Sequence, residues 1–121
     1  MKYRALEHIQ WHDLPVDGIS FGVDGVRMVV TPYEESAGAY AAVCLSLSSV
    51  EGLSISVVGT LSADDLSGLE VVSFEFRHVE PGQISGSIEI LPGQAGLWRI
   101  SFTRATWELC APNNSLQARR P

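Results

Sequence analysis

Apolar and polar residues alternate along most of this chain with a period of two, in short runs separated by glycine, proline and acidic residues. That period belongs to strands with one covered face, not to helices. The clearest run is I-S-F-G-V-D-G-V-R-M-V-V, residues 19–30. Asp24-Gly25 between its halves predicts a hairpin with a two-residue type I′ turn, which needs positive φ at both central residues. Ile19, Phe21 and Val23 should share one face of the first strand, and Val26, Met28 and Val30 one face of the second.

The rest of the chain repeats this rhythm with different punctuation. Residues 1–15 lack alternation; Leu6, Ile9 and Asp13 suit a short helical turn or an irregular edge segment, closed by Pro15. Residues 31–38 read as a loop. The strand predicted over 39–48 sets Ala41, Val43, Leu45 and Leu47 against Tyr40, Ala42, Cys44 and Ser46, small or apolar on both faces and so central. Glu51-Gly52 predicts a tight return into 53–57, a second hairpin. Ser62 with Asp64 and Asp65 behind it suits the cap of a single helical turn over 61–68. Over 70–79, Val72, Phe74 and Phe76 should face inward and Glu75 and Arg77 outward. Glu80-Pro81-Gly82-Gln83 has the composition of a type II turn, and Ile84, Gly86, Ile88 and Ile90 should line the inner face of the returning strand. In the last and longest strand Trp98, Ile100 and Phe102 share one parity but Ala105, Trp107 and Leu109 the other, which predicts a bulge near Thr103 and Arg104. About seven strands without a covering helix predict an all-β fold: an antiparallel β-sandwich or, alternatively, an open barrel. It should form one β domain over residues 1–110, followed by a flexible tail over 111–121.

Composition narrows the function classes. Hydrophobic residues make up 45% and charged residues 18% of 121 positions, ordinary for a globular domain with its own core. The formal net charge is −6. Such a field disfavours a nucleic-acid ligand and steers a basic protein partner toward the surface. No apolar run approaches the roughly 20 residues that span a bilayer, and Glu7, His8, Gln10 and His12 interrupt the N-terminus where a secretory signal would be apolar. No membrane association and a cytoplasmic location are therefore expected. Cys44 and Cys110 have no metal-type spacing and are expected as two buried, reduced thiols, with a disulfide between them left open.

Two groups of residues carry the candidate chemistry. Tyr33 and Tyr40 flank Glu34 and Glu35, and tyrosine beside carboxylates suits recognition of a basic partner. The second group is His8, Trp11, His12 and Asp13, next to Glu7. His8 and His12 would share a face if this segment were helical, but no H-E-x-x-H base accompanies them and Pro15 lies close behind, so a structural His-Asp pair beside a partly buried Trp is expected and no metal or other cofactor. Trp98 and Trp107 should serve the core. No nucleophile elbow or glycine-rich phosphate loop is present, and the scattered carboxylates define no catalytic pair, so a non-catalytic protein is expected.

Trp11-His12-Asp13, followed closely by the strand and Asp-Gly of residues 19–30, resembles the opening of a loose set of small bacterial all-β proteins, some of them immunity proteins of polymorphic toxin systems. That resemblance covers about twenty residues. It implies a cytoplasmic, monomeric or homodimeric β domain that neutralises a partner, such as a toxin, by binding it. A small-ligand or carbohydrate-binding β-sandwich with exposed aromatics is the alternative.

Overall fold

The computed structural model describes residues 4–35, 37–59, 68–92 and 97–112. Among these residues a 3-10 turn, Leu6–His8, precedes nine strands: β1 Val16–Gly22, β2 Gly25–Val30, β3 Tyr33–Glu34, β4 Ala39–Tyr40, β5 Val43–Glu51, β6 Ser54–Val58, β7 Leu69–Glu80, β8 Gln83–Pro92 and β9 Leu97–Cys110. Seven form one antiparallel sheet in the order β1-β2-β5-β9-β8-β7, with β6 also paired to β9, while β3 and β4 form a separate two-stranded sheet. The all-β antiparallel architecture is thus as expected. The large sheet is not closed. Its two ends approach just ahead of β1, where Pro15 bridges Glu70 and Val71 exchanges main-chain hydrogen bonds with Asp13 and Leu14, each 2.8 Å.

The covered face follows the alternation in the centre of the sheet. Val26, Met28 and Val30 of β2, Val43, Leu45 and Leu47 of β5, Ile84, Ile88 and Ile90 of β8 and Ile100, Phe102, Ala105 and Leu109 of β9 are all buried in one cluster. Trp98 and Trp107 are half-buried and packed against it. The bulge expected in β9 is present. Ile84 pairs with Ala105 but Gly86 with Phe102, so β9 carries one extra residue there and its inward parity changes. The type II turn is present too, with Glu80 paired to Gln83 and Gly82 at φ 79°.

Several expectations are corrected. The first hairpin turns at Val23-Asp24, one residue earlier than expected, because Gly22 pairs with Gly25 and Gly25 opens β2. Gly25 has φ 127°, and a Cβ there would lie 1.9 Å from the Leu47 carbonyl oxygen, so the glycine serves close strand approach rather than the turn itself. Phe21 and Val23 are exposed, since β1 is at the end of the sheet and no described residue covers its tip. The strand predicted over 39–48 is broken: Ala39 and Tyr40 belong to β4, Ala41 and Ala42 are exposed outside any strand, and the central strand begins at Val43. The loop predicted over 31–38 contains β3. In β7 a register shift between Val71 and Ser73 puts Val71 and Phe74, not Val72, in the core.

The second hairpin does not exist. β5 and β6 both run antiparallel to β9, along its C-terminal and N-terminal halves respectively. Ser49 at φ 51° and Gly52 at φ 64° step the chain sideways without reversing it. Thr103 fixes the step, its hydroxyl donating to the Glu51 carbonyl at 2.9 Å while its side chain occupies the space above Gly52. The helical turn predicted over 61–68 and the tail beyond Pro112 lie outside the described residues.

Candidate functional site

Residues 4–15 are held against β7 at several points. Leu6, Ile9, Trp11 and Leu14 are buried, while Glu7, His8, Gln10, His12 and Asp13 between them are exposed. Trp11 faces the core: its Nε1–H donates to the Leu6 carbonyl at 2.9 Å and its ring meets Phe74 edge-on at 5.0 Å. The contacts continue along β7 through Phe76 to His78. His78 Nε2 in turn lies 2.7 Å from Glu7 Oε2, and this hydrogen bond holds the Glu7 carboxyl below its ordinary range.

The 3-10 turn ends at His8 and Ile9 is extended, so His8 and His12 do not share a helical face. His12 is committed elsewhere. Its Nδ1 lies 2.6 Å from the Val72 carbonyl oxygen, a contact that requires the proton on Nδ1, and its Nε2 is 3.3 Å from Asp13 Oδ2. Asp13 has φ 67°, a backbone geometry held by its N–H bond to Val71. Its carboxyl also meets that of Glu70, and the hydrogen bond between the two raises Glu70 above the ordinary carboxylate range. Among the described residues no group of three or more His, Cys, Asp or Glu could hold a metal ion.

Opposite this segment stands the β3–β4 hairpin. Tyr33 pairs with Tyr40 and Glu34 with Ala39; Gly38, at φ 66°, donates its N–H to the Glu34 carbonyl at 2.9 Å and closes the turn. Ala41 N–H donates to the Pro32 carbonyl at 3.1 Å and closes the base. Both tyrosines are exposed, 50% and 72% respectively, and their rings meet edge to face at 5.1 Å.

Between the two lies an open cleft of about 880 Å³. His8, Gln10, His12 and Asp13 form one wall and Tyr33, Glu34, Glu35 and Tyr40 the other, with Ile9, Leu14, Pro15 and Pro32 also lining it. The two candidate groups, separate in sequence, thus meet at one site. Trp11 is the exception, because its ring is spent in the core and does not line the cleft. Sequence reasoning missed Glu70 and His78 as partners of this segment: both sit on a strand far along the chain, and only the register of β7 brings them to Asp13 and Glu7.

A mixed lining with acidic groups and aromatic faces suits a long side chain with a cationic head. The aliphatic stem of Lys or Arg would lie along Pro15 and the tyrosine rings, and its charge would reach the carboxylates or a tyrosine face. No known family, curated protein or solved structure matches the chain. No helix among the described residues is long and apolar enough to cross a membrane.

Proposed function

We propose that this protein is a non-catalytic protein-binding module of immunity-protein type, acting in the cytoplasm, which engages a basic segment of its partner in the cleft between residues 8–15 and the β3–β4 hairpin. One observation carries the reading: exposed Tyr33 and Tyr40 and the carboxylates of Asp13, Glu34 and Glu35 converge on one cleft. The net charge of −6 adds long-range attraction for a cationic partner.

An amide-resolved NMR titration with a Lys/Arg-rich peptide and an Asp/Glu-rich peptide of equal length tests this directly. The basic peptide should shift the amides of residues 8–15 and 33–40, and the acidic peptide should leave them unmoved. Equal responses to both, or shifts confined to another face, would overturn the reading. Its immunity component predicts that co-expression protects cells from a basic toxin encoded beside it, and failure to protect against any neighbouring gene product would remove that component.

The cleft's volume also falls in the range of small-molecule sites, which favours a carbohydrate or other small ligand as the second reading. A neutral sugar stacked on Tyr33 or Tyr40 would bind with little dependence on salt, whereas a basic peptide would weaken as salt rises.

A further inference from the structure

Cys44 and Cys110 are direct partners in the register of β5 and β9. Sequence suggested two buried thiols; in the structure Cys44 is buried at 2% exposure but Cys110 is only half-buried, at the last residue of β9. Trp107 donates its main-chain N–H to Gly82 on the β8 side. Strand alternation then turns the main-chain groups of Thr106, Glu108 and Cys110 toward β5, which makes Cys44 and Cys110 a hydrogen-bonded antiparallel pair with Cα atoms about 5.5 Å apart. Disulfides form over Cα separations of about 4.4–6.8 Å. The Cys110 Sγ is already turned toward β5, 3.8 Å from the Cys44 carbonyl oxygen.

We propose that Cys44 and Cys110 form a reversible dithiol site that exchanges with small disulfides of the glutathione type to close a cross-strand bridge. Cys110, the more accessible thiol, attacks as its thiolate; a bond forms between its sulfur and one sulfur of the small disulfide, and the other sulfur leaves as a thiolate. Cys44, having given its proton to solvent, attacks the Cys110 sulfur and expels the second small thiolate. Two electrons pass from the protein dithiol to the small disulfide, yielding one protein disulfide and two small thiols. The Cβ atoms of a hydrogen-bonded pair lie farther apart than the about 3.8 Å of a relaxed bridge, so the bond is strained and easily reduced. This site is independent of what the cleft binds.

The test incubates the folded, reduced chain with oxidised glutathione, quenches in acid, alkylates remaining thiols and reads intact and peptide masses. The wild-type chain should lose two hydrogens, resist alkylation, give a linked Cys44–Cys110 peptide, and recover both thiols on treatment with reduced glutathione. Cys44→Ser should instead accumulate one glutathione on Cys110, and Cys110→Ser should leave Cys44 reduced. A wild-type chain that keeps both thiols alkylatable, stops at glutathione on Cys110, or links two copies through Cys110 overturns the proposal, and this wild-type readout stands even if a variant fails to fold.

Discussion

The centre of the large sheet and the rim of the cleft are built on opposite terms. At the centre, Phe74, Ile88 and Ile100 lie side by side across β7, β8 and β9, with both isoleucines fully buried, and no polar or charged residue among those described is buried. At the rim, Asp13, Glu35, Tyr33 and Tyr40 are exposed and held by short-range backbone devices: a left-handed Asp13, a two-residue strand pair and a glycine turn. Stability is concentrated in the first region and candidate chemistry in the second, so substitutions should separate the two.

The largest effect is expected at the centre. Ile88→Ala should cost about 2–5 kcal/mol of unfolding free energy in denaturant titration, because the cavity opens between two covered strands. Gly86→Ala comes next at about 1–3 kcal/mol, since its Cβ would lie 2.2 Å from the Glu75 carbonyl oxygen and the strands would have to part. At the rim, Gly38→Ala meets open space but forces an L-residue to φ 66°, and should cost only about 1 kcal/mol. If Gly38→Ala proved as damaging as Ile88→Ala, the division between scaffold and site would fail.

The smallest effects concern acid stability. Glu89 is held below its ordinary range by hydrogen bonds from Arg99, the closer at 2.6 Å, and Glu7 by His78. A carboxyl lowered in the folded state stabilises above its unfolded value near 4.5 and loses that contribution as pH falls through the folded value. Glu70, raised by Asp13, has the opposite sign: its contribution is present below the unfolded value and lost as pH rises through the folded one. Melting temperature followed from about pH 6 down to pH 3 should therefore fall less steeply for Arg99→Gln than for the wild-type chain, and more steeply for Glu70→Gln. Each difference should amount to no more than a few degrees, because all these pairs are solvent-screened.

The scaffold was far more legible in the sequence than the site. Period-two alternation identifies the buried rows of β2, β5 and β8, and the parity change at Thr103 and Arg104 marks the bulge, because these features record contacts with immediate sheet neighbours. Alternation does not say which strand lies alongside. β5 and β6 read as a hairpin, yet β9 is long enough to pair with both, and Ile55 and Val57 of β6 stay about 45% exposed where Leu45 and Leu47 are buried. The cleft was legible only as two unrelated clusters. Tyr33 and His12 come together because residues 13–15 pair with the start of β7 and Pro32 anchors a hairpin whose strands are too short to show a period.

The central claim is that the cleft recognises positive charge. Calorimetric titration of a Lys/Arg-rich peptide into the wild-type chain and into the Glu34→Gln/Glu35→Gln variant, at low and physiological salt, tests it most directly. The account predicts roughly tenfold weaker binding by the variant at low salt and a smaller gap at physiological salt. Equal affinity of the two proteins at both salt concentrations would contradict it.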